Sequence, residues 1–229
     1  MINIKLGRWK KIEIIIYFAI VLAIIINAII AKDYWVAVVA SICGITYSAL
    51  AGKGVPLCYL FSITSAGFYS LLAYQNALWG NLLLNAGYYI PMYIWGYIQW
   101  KKNLSESDGT EIIKDRLSNI TRLKMLGIAT IIIIISSIIL YKFHGSHPIL
   151  DSITTIISLF GMYYTVKRCI EQWMAWMIVN SLSLLMWIKI MIDGAKAYST
   201  IAMWAVYLFF AIYFYIQWDK EIKLNKNSK

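Results

Sequence analysis

Aromatic and polar side chains recur on one side of a long apolar segment that begins near residue 171. In a helix, the spacing i, i+3, i+7, i+10 and i+14 aligns them along one stripe. They are Trp173, Trp176, Asn180, Ser183 and Trp187. Two tryptophans one turn apart form a flat apolar surface for stacking, and a cationic ring gains about 0.5 to 2 kcal/mol there. Because an adjacent amide could recognise hydroxyl or amide groups, the stripe predicts a binding site for a small aromatic solute.

The tryptophans of this stripe also fit an ordinary role in membrane helices. Tryptophans near the end of a span commonly form an interfacial belt, and Trp173 suits either that belt or a ligand site. Trp176 and Asn180 lie deeper and favour the ligand site. Facing lipid, the Asn180 amide would lack partners at a cost of about 1 to 3 kcal/mol, so we expect it to face protein or a cavity.

The fourth apolar segment carries an unusual number of polar side chains, among them Asn85, Tyr88 and Tyr89. Polar residues inside a membrane helix favour the interior of the protein or a cavity. Pro91 removes a backbone donor in mid-helix and therefore predicts a kink. The kink either shapes a pocket, provides a hinge or serves packing alone.

The elements that must position these residues are membrane helices. The chain is 61% hydrophobic and 14% charged, whereas soluble domains average about 45 to 50% and about 25%. Apolar runs of roughly 20 residues, each able to cross about 30 Å of hydrocarbon, recur along the chain. We predict an all-α integral membrane protein of eight transmembrane helices, which span 12–31, 34–51, 56–75, 79–99, 125–142, 149–166, 171–192 and 197–217.

Basic residues fall mostly on one side of the predicted spans. With a cytoplasmic N-terminus, 17 of the 21 Lys and Arg residues lie on the inside and 4 lie on the outside. The positive-inside rule therefore places both termini in the cytoplasm. Because these cations occupy short loops, we interpret the net charge of +10 as a topology signal and expect no nucleic-acid partner.

Two short sequence matches indicate an internal repeat, unless they arise by chance. Tyr97-Ile98-Gln99-Trp100 recurs as Tyr215-Ile216-Gln217-Trp218 at an offset of 118, and Gly44 and Tyr47 recur as Gly161 and Tyr164 at an offset of 117. Spans 2 to 4 and spans 6 to 8 would then be parallel three-helix units, a transporter design that holds substrate near the membrane midplane. In the predicted organisation, an N-terminal cytoplasmic segment with a peripheral transmembrane helix (1–33) precedes a first repeat (34–100). A cytoplasmic linker (101–124) and a connecting helix (125–142) lead to the second repeat (143–218). A basic cytoplasmic tail (219–229) follows.

Several chemistries are not expected from this sequence. By the span assignment, all eleven acidic residues lie in loops or near span ends, whereas ion-coupled carriers usually hold an ionisable group at mid-membrane. The chain contains no G-x-x-x-x-G-K-[ST] motif for ATP hydrolysis. His144 and His147 lack further ligands in the sequence, and no Ser, His and Asp share a membrane depth. We therefore expect a passive facilitator with no cofactor, no metal and no enzymatic activity.

The seventh apolar segment resembles the W-x-x-W-x-x-x-N signature of the PnuC-type vitamin transporters, a family of nicotinamide riboside or NMN transporters. Trp173, Trp176 and Asn180 carry that resemblance. Other stretches resemble the family's first-repeat helix end and the start of its last helix; they are Tyr89-Ile90-Pro91 with Gly96 and Trp100, and Gly194 with Tyr198 and Thr200. The resemblance covers residues 34–218, and the tryptophan motif is its specific part.

This resemblance implies a SWEET-like bundle, with one peripheral helix plus a 3-1-3 arrangement of parallel repeats, assembled as a homotrimer in the bacterial cytoplasmic (inner) membrane. It implies facilitated diffusion of nicotinamide riboside, which a cytoplasmic vitamin kinase then traps. Thiamine and riboflavin are the alternative substrates, and Trp204 beside Tyr207 departs from the expected Tyr-rich pattern and leaves the vitamin open. The candidate substrate-binding residues are Asn85, Tyr88, Tyr89, Trp173, Trp176, Asn180, Ser183 and Tyr207, with Pro91 as a candidate hinge. From a different class, the chain could be a membrane-embedded enzyme or a scaffold subunit.

Overall fold

The computed structural model describes residues 7–31, 35–75, 82–104, 109–143, 148–193 and 198–227. Eight helices account for most of these residues. They are α1 (Lys11–Ala31), α2 (Trp35–Lys53), α3 (Cys58–Gln75), α4 (a π-helical segment Leu83–Tyr89 that continues as an α-helix Ile90–Lys101), α5 (Asn119–Lys142), α6 (Pro148–Val166), α7 (Glu171–Ile192) and α8 (Tyr198–Asn227). The prediction of an all-α protein with eight helices is confirmed.

Within the described ranges, five helices are long and apolar enough to cross a bilayer: α1, α2, α5, α6 and α8. α1 and α5 expose rows of large aliphatic side chains, such as Ile29 and Ile30 on α1 and Ile131 and Ile134 on α5. Exposure to water would cost about 25 cal/mol per Å² of apolar surface, whereas lipid tails are as apolar as these side chains. The exposed faces therefore agree with the predicted membrane setting.

Six predicted spans match helices to within a few residues, and two helices are longer than predicted. α5 begins at Asn119 rather than at 125, because Ser118 caps it by accepting a hydrogen bond from the Thr121 N–H at 3.2 Å. α8 continues to Asn227 rather than ending at 217, and Asp219 pairs with Lys223 one turn later at 2.6 Å. Hydropathy identifies the apolar part of a helix, so it does not detect these polar ends.

The chain divides into two compact units, of which unit 1 comprises Met1–Ile113. In this unit α1 packs on α2, α2 packs on α3, and α3 packs on α4. Two polar contacts fix α1 to α2: Glu13 pairs with Lys53 Nζ at 2.6 Å, and Tyr17 Oη lies 2.7 Å from Thr46 Oγ1. The predicted peripheral helix therefore makes specific contacts with the helix that follows it.

Unit 2 comprises Lys114–Lys229. Here α5 packs on α6, α6 packs on α7, and α7 packs on α8. Its core includes Met162 and Val166 from α6, Val179 from α7, and Phe214 and Trp218 from α8. No residue of α5, all of which the structure describes, is buried. α5 therefore lies at the edge of its unit, against α6.

The two units turn alike between α2 and α3 and between α6 and α7. Gly54 (φ +74°) and Arg168 (φ +61°) adopt the left-handed conformation that commonly ends a helix. The same hydrogen bonds close both turns: Gly54 N–H to Ala51 O and Val55 N–H to Leu50 O in unit 1, and Arg168 N–H to Thr165 O and Cys169 N–H to Tyr164 O in unit 2. These positions match at an offset of 114, at which Tyr164 corresponds to Leu50. The sequence match of Tyr164 with Tyr47 is therefore wrong by three residues.

One aromatic pair also recurs in both units. In unit 1, Tyr59 meets Trp100 edge to face with the ring centroids 5.1 Å apart. In unit 2, Trp173 meets Trp218 in the same way at 5.7 Å. Trp100 and Trp218 end the two copies of the Tyr-Ile-Gln-Trp sequence, and both are fully buried. That sequence match therefore corresponds to equivalent packing positions.

The predicted linker 101–124 is ordered where the structure describes it. We call residues 109–113 the first strap and residues 114–118 the second strap. In unit 1, the Ile112 N–H donates to Gly54 O at 2.9 Å; in unit 2, the Asp115 N–H donates to Arg168 O at 2.9 Å. Each strap therefore satisfies the carbonyl of the left-handed residue in its own unit.

Side chains reinforce the second strap. Lys114 and Arg116 form ion pairs with Glu221 and Asp219, respectively, near the end of α8. Lys114 Nζ also lies over the Trp218 ring, 5.5 Å from its centroid. These contacts explain why the predicted tail 219–229 is helical as far as Asn227.

The second strap pairs with Cys169, whose thiol is buried and has its pKa raised to about 12. Burial is the main cause, and the carboxylates of Glu171 and Asp115 raise the pKa further. Since the thiol stays protonated at about pH 8, we expect it not to react with a maleimide in the folded protein. Peptide mass spectrometry checks this, with protein unfolded in SDS as the control. Stoichiometric labelling of Cys169 in the folded protein would contradict the expectation.

Candidate binding site

Trp176 is half-buried on α7, with its indole ring against α6. Its Nε1–H donates to Thr165 Oγ1 at 3.4 Å, and the Thr165 hydroxyl donates to Gly161 O at 2.8 Å. Gly161 leaves room for the ring, because a Cβ there would lie 3.4 Å from Trp176 Cε2. The ring is therefore held by α6, while part of its surface stays accessible for stacking.

Trp173 lies one turn earlier but has different surroundings. Its side chain is only 4% exposed and packs on Phe214 and Trp218 of α8, at centroid distances of 5.4 Å and 5.7 Å. Its Nε1–H is buried and has no hydrogen-bond partner among the described residues. Trp173 therefore contributes to the packing of α7 on α8, and little of its ring is left for a solute.

Asn180 and Ser183 continue the stripe of Trp176 along the buried side of α7. The Asn180 side chain is 5% exposed and that of Ser183 is 7% exposed, whereas Trp187 is half-buried. Asn180 faces the protein interior, as expected from the cost of placing its amide against lipid. Among the described residues, none is seen to hydrogen-bond to the Asn180 amide. The amide is therefore buried with its donors and acceptor unused by those residues.

α4 changes its winding directly before Pro91. The segment Leu83–Tyr89 is π-helical, and the Ile90 N–H bonds to Asn85 O, five residues back. Pro91 follows in the first turn of the α-helical segment, where its missing N–H does least harm. π-helical turns inside α-helices often occur at functional sites. The segment directly before Pro91 is thus π-helical, and it carries the half-buried Asn85, Tyr88 and Tyr89. The kink expected at Pro91 stays a prediction.

Tyrosines from three helices form a cluster in unit 1. Tyr93 of α4 lies 5.5 Å from Tyr47 of α2 and 6.2 Å from Tyr59 of α3, between ring centroids. Tyr93 also stacks on Tyr89 at 5.9 Å with an interplanar angle of 15°. The Tyr59 ring is fully buried, and its Oη has no hydrogen-bond partner within the described ranges. The cluster connects the π-helical segment to the core of unit 1.

The last helix, α8, carries the candidate Tyr207. It lies beside Trp204, edge to face, with centroids 6.1 Å apart, and both rings are half-buried. The Trp204 Nε1–H is buried and unpaired among the residues that the structure describes. This aromatic pair is distinct from Phe214 and Trp218 of the same helix, which pack on Trp173.

Within unit 2 the structure brings Trp176, Asn180 and Ser183 to one side of α7, and within unit 1 it brings Asn85, Tyr88 and Tyr89 to one segment. The sequence did not identify the residues that support them. Thr165 and Gly161 lie against Trp176. Tyr93 stacks on Tyr89 and contacts Tyr59. Glycines in apolar helices often mark close approach. Gly96 and Gly161 were therefore visible signals, although the side chains that approach them were not.

Several charged groups of the described ranges form pairs near helix ends. Arg122 Nε donates to Glu171 Oε1 at 2.7 Å, and Glu13 pairs with Lys53. No group of three His, Cys, Asp or Glu that could hold a metal ion occurs among the described residues. His144 and His147, for which no metal site was expected, lie outside the described residues.

Comparison with known proteins gives consistent results. A family model described as nicotinamide mononucleotide transporter matches residues 34–220. The nicotinamide riboside transporter PnuC of Neisseria mucosa is 31% identical over 196 residues, which cover 83% of this chain and 74% of the relative. That of Haemophilus influenzae is 28% identical over 216 residues, covering 94% and 92%. A crystal structure of the vitamin B3 transporter PnuC superimposes with a TM-score of 0.80 at 26% identity and covers 94% of both chains.

The matched segment begins just before α2 and ends within α8, so it includes parts of both units. These relatives are transporters and not enzymes, and the two named organisms are bacteria. With five apolar spans among the described helices, the protein is a multi-pass protein of a bacterial inner membrane. The chain belongs to the nicotinamide mononucleotide transporter family, that is, the PnuC-type vitamin transporters.

Proposed function

We propose that the protein is a uniporter that carries nicotinamide riboside across the bacterial cytoplasmic membrane by facilitated diffusion. Both curated relatives bear the name nicotinamide riboside transporter. The observation that carries the proposal is the combination on α7 of a partly accessible indole, Trp176, and a buried amide, Asn180, whose hydrogen-bonding groups the described residues leave unused.

The chemistry of nicotinamide riboside matches this combination. Its pyridinium ring is flat and positively charged, and an indole face attracts such a ring by stacking and by the cation–π interaction. Its carboxamide and ribose hydroxyls need donors and acceptors, and an Asn side chain offers both. We therefore propose that Trp176 stacks on the pyridinium ring and that Asn180 and Ser183 bind its polar groups.

The other candidate residues have less direct support. Asn85, Tyr88 and Tyr89 are proposed to contribute polar and aromatic groups from the π-helical segment of α4, with Pro91 as the hinge, and Tyr207 to contribute from α8. For Trp173, the 4% exposure of its side chain favours a supporting role through Phe214 and Trp218 over direct contact with the solute.

We propose that transport is not coupled to an ion gradient and that a cytoplasmic vitamin kinase traps the substrate. Coupled carriers usually hold an ionisable residue in the middle of a span. In the described ranges, Glu13, Asp151 and Glu171 lie in the first turns of their helices, and Asp219 and Glu221 lie near the end of α8. These positions support a passive mechanism, in which phosphorylation inside the cell provides the driving force.

The proposed architecture has one peripheral helix and two parallel three-helix repeats, 34–100 and 143–218, joined by α5 in a SWEET-like 3-1-3 arrangement. The shared turn geometry and the repeated aromatic pair of the two units support it. The charge distribution supports cytoplasmic termini. The homotrimer follows from the family resemblance alone and is testable by the mass of the purified protein in detergent.

Proteoliposomes that contain the purified protein test the proposed transport directly. Labelled nicotinamide riboside should enter saturably and stop when the inside concentration equals the outside concentration, because a uniporter only equilibrates its substrate. An imposed proton or sodium gradient should leave that final level unchanged. Uphill accumulation driven by either gradient would overturn the uniport mechanism.

Competition distinguishes the substrate and the class of function. Thiamine is also a cationic heteroaromatic, so charge does not separate it from nicotinamide riboside, whereas riboflavin is larger and neutral. Unlabelled nicotinamide riboside should compete more strongly than either. Stronger competition by thiamine would reassign the substrate, and the absence of saturable flux for all three would favour an enzyme or a scaffold subunit.

A further inference from the structure

The surface of α6 that faces Trp176 is shaped by two residues, Gly161 and Thr165. Gly161 is buried, and a Cβ on it would lie 3.2 Å from Ala175 Cβ, 3.4 Å from Trp176 Cε2 and 3.5 Å from Trp176 Cζ2. The benzene edge of the indole therefore approaches the backbone of α6 closely. A larger residue at 161 would require the ring or α7 to move by a few tenths of an ångström.

Thr165 holds the N–H group on this same edge of the ring. Its side chain is fully buried, and its single hydroxyl proton is donated to Gly161 O at 2.8 Å. The hydroxyl oxygen keeps its lone pairs as acceptors and receives the Trp176 Nε1–H at 3.4 Å. The hydrogen bonds thus run in one direction, from the indole to Thr165 and on to the backbone of α6.

The geometry of Thr165 makes this acceptor well defined. A threonine in a helix has only two favourable χ1 rotamers, and the bond to the carbonyl four residues back selects one of them. The oxygen that receives the indole N–H is therefore fixed before Trp176 docks on it. Burial of Thr165 also excludes water that would otherwise compete for the same lone pair.

We infer that Thr165 and Gly161 are positioning residues that set the plane of the Trp176 indole and thereby the affinity of the aromatic site. This inference rests on the proposed function, in which Trp176 stacks on the solute. Thr165 is fully buried and acts through Trp176 without touching the solute. A ring that is fixed in advance loses less freedom on binding, so a fixed indole binds an aromatic ring more tightly than a mobile one.

Thr165→Val tests the inference, because valine keeps the branched shape of threonine and replaces the hydroxyl by a methyl group. We expect the Kd of nicotinamide riboside to rise about three- to ten-fold, the loss expected for one hydrogen bond. Thr165→Ser, which keeps the hydroxyl, should restore most of the affinity. Thr154→Val is the matched control: Thr154 lies on the same helix and makes the same kind of bond, to Leu150 O at 2.9 Å, and among the described residues it makes no hydrogen bond to an indole.

A second readout separates positioning from general loss of structure. The indole N–H signal of Trp176, assigned by its absence in Trp176→Phe and followed by NMR of protein with labelled tryptophan, should shift in Thr165→Val and stay in place in Thr154→Val. In the Trp176→Phe background, Thr165→Val should have no further effect on Kd, because phenylalanine has no N–H to donate.

The outcomes also separate this inference from the proposed function. If the unmodified protein binds none of the vitamins, the proposed function fails, while the NMR arm still decides whether Thr165 positions Trp176. If the unmodified protein binds nicotinamide riboside and Thr165→Val binds it equally well with an unshifted indole signal, the positioning role is overturned and the proposed function stands.

Discussion

Replacing Gly96 by alanine is expected to lower the melting temperature of the purified protein by about 5 to 10 °C. This is the largest loss of stability that we expect from adding one methyl group to this protein. A Cβ at position 96 would lie 2.5 Å from Tyr59 Cε1 and 2.6 Å from Tyr59 Oη. The Tyr59 ring is fully buried between Tyr47, Tyr93 and Trp100. Because the surrounding rings prevent the rigid Tyr59 ring from moving aside, α3 and α4 must separate to accommodate the added methyl group.

The matched control is Gly127→Ala on α5, where a Cβ would meet no atom within 4 Å. That change should leave the melting temperature unchanged or raise it, since alanine favours a helix over glycine by about 0.5 to 1 kcal/mol. Intrinsic tryptophan fluorescence on heating in detergent measures both variants. Tyr59→Leu combined with Gly96→Ala should recover part of the stability. Equal melting temperatures for Gly96→Ala and Gly127→Ala would show that the Tyr59 ring does not lie against Gly96.

The largest expected effect on binding comes from Asn180→Ala. We expect it to weaken the binding of nicotinamide riboside by about 1 to 3 kcal/mol, which corresponds to about 5- to 150-fold in Kd. The polar groups of the solute would enter a buried site and lose their partner there. Because no hydrogen bond of the Asn180 amide to the other described residues is seen, its removal should cost little stability.

Calorimetry on detergent-purified protein measures this effect, with the melting temperature as a check on folding. Ser41→Ala is the control, because the Ser41 hydroxyl is used on its own helix, where it donates to Ala37 O at 2.8 Å. Normal binding by Asn180→Ala together with weak binding by Ser41→Ala would place the site elsewhere. Trp176→Ala should also reduce binding, because it removes the surface on which the pyridinium ring is proposed to stack.

The helices could be predicted from the sequence because the lipid solvent selects for long apolar runs. α1 and α7 begin and end within a residue of their predicted limits. The ends of α5 and α8 could not be predicted in this way, since they depend on polar contacts. Ser118 caps α5, and Lys114 and Arg116 hold the end of α8 from a distant part of the chain.

The candidate site was predictable only as far as one helix determines it. The spacing of Trp176, Asn180 and Ser183 places them on one side of α7, which needs no knowledge of its neighbours. The spacing treats Trp173 and Trp176 alike, yet Trp173 meets Phe214 and Trp218 and Trp176 meets Thr165. That difference arises from how α6 and α8 pack on α7, and the spacing of residues within α7 does not reveal it.

The residue-by-residue alignment of the two units could likewise not be predicted from the sequence alone. Residue identity suggested a match between Tyr47 and Tyr164, whereas the turns align Leu50 with Tyr164. Hydrogen bonds and left-handed residues define that alignment, and Gly54 and Arg168 share a conformation without sharing a side chain. In contrast, the Tyr-Ile-Gln-Trp match agrees with the structure, because Trp100 and Trp218 are both buried against an aromatic ring.

The straps determine where this chain could be divided. The first strap donates backbone hydrogen bonds to Gly54 and Asn103 and accepts one from the Arg8 N–H. The partners of the second strap lie further along the sequence and include Arg168, Ile170 and Glu171. The peptide bond between Ile113 and Lys114 therefore separates the two sets, and breaking it would cut none of these hydrogen bonds. In the described residues, each half of the polypeptide thus carries the hydrogen bonds that hold its own strap, and a cut between the straps would leave these bonds in place.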